Sequence, residues 1–177
     1  MNTSMGDQGA DFRCNFSWLT AVRPFLYLVK AMGKSDKSIH NICIAAIKRH
    51  TMQPFDFKWT NFYEDNHDFT GRYAHMPLVL EEGEHVICST IIDADNWSIL
   101  TTRRLFTNLS GKLNAGYMDN ARILSFGKFN SPKEDKTLGE LQFADKGRVS
   151  FHIETRRASM VMIYGVRTRI GMQVGKP

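Results

Sequence analysis

Residues 36–50 carry apolar side chains at the spacing of one helical face. Ile39, Ile42, Cys43, Ala46 and Ile47 fall at i, i+3, i+4, i+7 and i+8, which forms a single stripe on a 3.6-residue repeat. Ser35 or Asp36 stands where an N-cap belongs. Lys48, Arg49 and His50 stand at the other end, where the helix dipole favours cations. The pattern predicts a helix ending near His50. Upstream, Pro24 suits a first helical position and Gly33 a stop, which predicts a short helix over 24–32. Residues 1–11 are small and polar and are expected to be mobile.

The pattern changes twice after this helix. Residues 51–77 are aromatic and acidic, with Pro54 and Pro77 near the ends, and read as an irregular or short-strand connector. Phe55, Phe57, Trp59, Phe62 and Tyr63 need something to pack on, so a loose linker is not expected. From residue 78 the period becomes that of strands. One strand is expected at about 84–92, then a turn at DADN, then a second strand over WSILTTRRLFTN. LSGKLNAG reads as a turn and YMDNARILSFGKF as a strand, or a short turn plus strand. NSPKEDK reads as a polar loop, and TLGELQFAD with KGRVSFHIET as a hairpin. Residues 158–170 fit both periods, and a helix is favoured.

Within WSILTTRRLFTN, two adjacent arginines interrupt an apolar run. Leu100, Arg104 and Phe106 share one parity, and Ile99, Arg103 and Leu105 the other. A strand of this kind is covered on both sides for part of its length, and the two arginines point to opposite faces. Arg104 is expected to be the buried one, paired with Asp119 or Asp93, because an unpaired buried guanidinium is costly. Arg103 is then the exposed one, free to contact a ligand.

Charge sharpens this picture. Residues 51–100 hold two basic and nine acidic groups, whereas residues 101–177 hold fourteen basic and six acidic, for a net charge of +5 over the chain. Arg103, Arg104, Lys112, Arg122, Arg156 and Arg157 are candidates for a basic binding patch. Cys14, Cys43 and Cys88 are odd in number and widely spaced, which fits neither a disulfide framework nor a zinc site. No metal-ligand spacing, phosphate loop or nucleophile elbow is present, so no cofactor or metal is expected. The densest polar cluster is EDNHDFTGRYAH. There His67 and His75 could serve a hydrolase, although such clusters are usually solvated loops. The N-terminus lacks the pattern of a secretory signal, and no apolar stretch reaches a membrane span. A cytoplasmic location is expected.

The runs EHVICSTIID, WSILTTRRLFTNLSG, AGYMDNARILSF, GELQF and VSFHIET together resemble bacterial PH-like and GRAM-type domains over about residues 80–170. The carrying motifs are Leu100-Thr101-Thr102-Arg103-Arg104-Leu105 and the step Tyr117-Met118-Asp119-Asn120-Ala121, with Ala121 where a bulky aliphatic is usual. The resemblance implies an α+β fold. A helical N-terminal extension with its aromatic connector (1–77) would pack on a strongly bent antiparallel PH-like sheet closed by a C-terminal helix (78–177). It also implies a non-enzymatic protein-binding module whose partner has an acidic surface. A toxin neutralised by an immunity protein is one such partner, anionic lipid an alternative, and nucleic acid a further one.

Overall fold

The computed structural model describes residues 33–173. Cys14, the expected helix over 24–32 and the start at 1–11 lie outside the described residues. From Lys34 onward the described residues belong to one compact α+β unit. Helix α1 runs over Asp36–His50, with the Ser35 hydroxyl accepting from the Ser38 N–H at 3.3 Å. The connector supplies a short strand, β1 (Thr60–Phe62), and a helix, α2 (Asn66–Tyr73). Strands β2 (Val86–Asp93), β3 (Asn96–Thr101), β4 (Arg104–Leu109) and β5 (Lys112–Tyr117) follow as a meander. A 3₁₀ turn at Met118–Asn120 leads to β6 (Ala121–Ser125), β7 (Lys136–Phe143) and β8 (Gly147–Glu154). Helix α3 (Ser159–Gly171) closes the described chain.

The strands divide into two antiparallel sheets, β1-β2-β3-β4-β5 and β6-β7-β8, instead of continuing as one bent sheet. Apolar side chains from both sheets, including Leu100, Leu105, Leu141, Phe143, Phe151 and Ile153, meet in a shared core with α1 and α3. The opposite face of the larger sheet holds a second cluster. There Val86, Trp97, Ile99 and Phe106 lie under Tyr63 and Phe69. Burial on both faces leaves β2 and β3 covered along most of their length, including the polar Ser89, Thr90, Ser98 and Thr101. The sheets join at β8, where the His152 N–H donates to the Ser98 hydroxyl at 2.8 Å. Small residues permit the closest approaches. A Cβ on Gly116 would meet the Phe143 ring at 2.6 Å, and one on Gly165 would meet Cys88 Sγ and Leu100 Cδ2 at 3.0 Å.

Three expectations need correction. WSILTTRRLFTN is not one strand, because Thr101 breaks it. Its hydroxyl accepts the backbone N–H of Arg103 at 3.2 Å and of Arg104 at 2.8 Å, which ends β3 in a tight turn. In LSGKLNAG only Ser110 and Gly111 turn the chain. Their φ angles of 54° and 80° suit a two-residue type I′ hairpin, and KLNAGY continues as a strand. NHDFTGRY is helical, because the Asp65 carboxylate caps it, accepting from the Asp68 N–H at 3.0 Å. The ambiguous segment near the C-terminus is helical, as favoured.

Helix α1 docks on the sheets, but with its apolar face turned from the expected stripe. His40, Cys43, Ile44 and Ile47 are buried, while Ile42 is 37% exposed. Ile47→Asp should therefore cost at least about 3 kcal/mol by burying a charge in the core, and Ile42→Asp less than about 1 kcal/mol. Urea melts of the two variants measure this, and equal losses would contradict the docking face.

Candidate functional site

The β3–β4 turn places the arginine pair over the acidic segment 79–84 that precedes β2. Arg104 donates to both carboxylate oxygens of Glu84, from Nε to Oε1 at 3.1 Å and from Nη2 to Oε2. It also donates to the Val79 carbonyl at 3.0 Å. Its guanidinium lies 4.6 Å from the Phe106 ring centroid. Glu84 is only 1% exposed. Its carboxylate further accepts the Thr101 hydroxyl at 2.5 Å and the Glu81 N–H at 2.9 Å. A buried carboxylate is tolerated only with partners of this kind.

Arg103 reaches the other way, to the first turn of α1. It donates to Asp36 Oδ2 at 2.8 and 3.1 Å, to Glu81 Oε2 at 2.7 Å and to the Glu82 carbonyl at 3.0 Å. Burial raises the Asp36 pKa, but hydrogen bonds from Arg103 and Thr102 outweigh it and hold the carboxyl below its ordinary value. Glu81 is held low by the Tyr117 hydroxyl and by Arg103. A third arginine joins from α3. Arg169 is buried, with its guanidinium on the Thr102 carbonyl and 2.5 Å from Asp119 Oδ1. Arg104 is thus the more buried of the pair, as expected, but its partner is Glu84. Asp119 pairs with Arg169, and Asp93 holds Asn96. Arg103 is an ion-paired clamp and not a free contact.

The other candidates fall elsewhere. Arg156 donates to the Pro132 carbonyl at 2.8 Å and lies 3.5 Å from Asp135. Arg157, with Lys58 and Glu154, lines the same shallow cleft of about 270 Å³. Arg122 is exposed on β6, and Lys112 is exposed on β5. The six residues therefore do not make one patch. Arg103 and Arg104 are neutralised by Asp36 of α1 and by Glu81 and Glu84 of the acid-rich segment 51–100.

Lys112 belongs to a different surface. No strand pairs with the outer edge of β5 among the described residues. Leu113, Ala115 and Tyr117 alternate along one face of β5, opposite Asn108, Phe106 and Arg104. Leu113 is 53% exposed and Tyr117 51%. Lys146, in the β7–β8 turn, donates to the Ala115 carbonyl at 2.6 Å, which marks that carbonyl as turned to the open edge. No ion pair engages Lys112 or Lys146 among the described residues.

The residues offered for catalysis are dispersed or structurally occupied. His67 lies within α2 and His75 beyond its end, and both are exposed. Asn66 bridges the Glu84 carbonyl and the Val86 N–H, each at 2.8 Å, so it fastens α2 to β2. Among the described residues no group of three His, Cys, Asp or Glu is placed to hold a metal. Burial pushes the Cys43 thiol up to about 12 and the Cys88 thiol well above its ordinary value, which leaves both unreactive near neutrality. Compared with protein-family models, curated proteins and solved structures, the chain matches none.

Arg104→Ala strands a buried carboxylate and should cost roughly 3–5 kcal/mol. Arg103→Ala removes a half-exposed clamp and should cost about 0–1 kcal/mol. Urea melts at pH 7 read the difference, and similar losses would refute the division. The pH dependence has a definite sign. Asp36 and Glu81 titrate below their ordinary values when folded, so their stabilisation is present above the unfolded pKa, about 4. It is lost as pH falls through the folded values. The stability gap between wild type and Arg103→Ala should hold steady above about pH 4 and narrow below it.

Proposed function

We propose that this chain is a non-enzymatic module of PH-like build that binds a protein with an acidic surface. The observation that carries this reading is the open β5 edge. There Leu113 and Tyr117 are exposed on β5, Lys112 opens the strand and Lys146 rests on its Ala115 carbonyl, and neither lysine has an acidic partner among the described residues. An unpaired strand edge is a template for an added strand, and cations on its rim steer an acidic segment to it. Strands in hairpin order closed by a terminal helix support the PH-like build, which serves as a scaffold for many partners. A toxin with an acidic face is one partner that this surface fits, and the chain would then act as an immunity protein.

Anionic lipid is the second reading, because the same cations would attract it. No described helix is long and apolar enough to cross a membrane. Cross-linking through lysines in native lysate, followed by mass spectrometry, tests the first reading. Cross-links from Lys112 and Lys146 to a captured protein are expected, and Leu113→Glu with Lys112→Glu should abolish them. Capture that persists in that variant, or binding to phosphatidylserine vesicles in its place, would overturn the reading.

A further inference from the structure

The segment that leads into β1 walls a cavity of about 330 Å³. Phe55, Asp56 and Phe57 line it from that segment, Asn61 and Phe62 from β1, and Arg72 from the last turn of α2. The volume lies at the small end of the roughly 300–1,000 Å³ range of ligand pockets. β1 and β5 are the two opposite edge strands of the larger sheet.

Aromatic rings dominate this lining. Phe55, Phe57 and Phe62 are each half-buried. Phe57 and Phe62 back onto the shared core, which holds them from behind. Phe55 meets Phe62 edge to face, with ring centroids 5.1 Å apart and planes at 81°. Another ring laid among the three would make contacts of the same kind, worth more than its area burial alone.

Two opposite charges share the cavity with these rings. Arg72 and Asp56 are both exposed, so a ligand can reach them. Among the described residues neither forms an ion pair, and they do not pair with each other although they line one cavity. Arg72 is steadied by Asn61, donating from Nη1 to its Oδ1 at 3.1 Å. The rest of its planar fork of donors is left for a carboxylate. Asp56 offers a carboxylate of its own to a cation. A ligand that answers both carries one charge of each sign beside a ring.

We propose that this cavity binds a free aromatic amino acid, its ring among Phe55, Phe57 and Phe62, its carboxylate on Arg72 and its ammonium on Asp56. The site is independent of the β5 edge and of any partner bound there.

L-phenylalanine is the probe. Phenylpropanoate lacks its ammonium, phenethylamine lacks its carboxylate, and L-alanine lacks its ring. On ¹⁵N-labelled protein, L-phenylalanine should saturably shift the backbone amides of residues 55–62 and the Arg72 side-chain Nε, and L-alanine should not. Each one-charge analogue should bind about fivefold more weakly, the scale of one exposed ion pair. Arg72→Gln should weaken L-phenylalanine by about the same factor and leave phenethylamine unchanged. Asp56→Asn should weaken L-phenylalanine likewise and leave phenylpropanoate unchanged. Both substitutions are at exposed positions, and an unchanged urea midpoint confirms that the fold is kept. The proposal is overturned by no saturable shift with L-phenylalanine, by shifts confined to other residues, by equal affinity for the one-charge analogues, or by undiminished binding in either variant.

Discussion

The buried carboxylate of Glu84 is the constraint around which the described fold is organised. An ionised carboxylate with almost no solvent contact requires several donors at once. Arg104, Thr101 and the Glu81 backbone supply them. Satisfying Glu84 fixes the segment before β2 against the β3–β4 turn. The neighbouring Arg103 then ties the same turn to Asp36 at the start of α1, and Arg169 ties it to α3. One turn of the chain therefore sets the position of two helices and a loop. The adjacency of the two arginines follows from this geometry, since a tight turn sends successive side chains to different partners.

The apolar packing depends on this arrangement as well. Helices α1 and α3 lie together over the sheets, and Cys43, Ile47, Cys88 and Val166 fill the space between them. Gly165 allows that contact, because any side chain there would press on Cys88 and Leu100. A helix seated this closely tolerates little rotation, which explains why the buried side of α1 is set by its neighbours and not by its most apolar stripe. His40 is buried because its ring reaches the Tyr63 carbonyl at 3.0 Å.

Much of the fold was legible in the sequence. The capped helix ending at His50, the β7–β8 hairpin and the mixed α+β class follow from period, caps and turn residues. Features that rest on side chain–backbone bonds were not. A threonine that ends a strand and an aspartate that starts a helix act through atoms that hydropathy does not register. The candidate patch was the least legible. Six basic residues were grouped by sign, but sign alone does not say which are answered by acids brought from elsewhere in the chain. Arg103 and Arg104 are answered by Asp36, Glu81 and Glu84, whereas Lys112 and Lys146 meet no acid among the described residues. The acid-rich block at 51–100 was the signal for the first pair, and the open β5 edge becomes visible only in three dimensions.

The lysine resting on the Ala115 carbonyl has a consequence for crowded solutions. Two copies meeting edge to edge along β5 would have to dislodge Lys146 from each chain and bring like charges together. A bare edge with an exposed leucine would otherwise invite sheet-to-sheet stacking. In the folded chain the lysine therefore disfavours self-association along this edge.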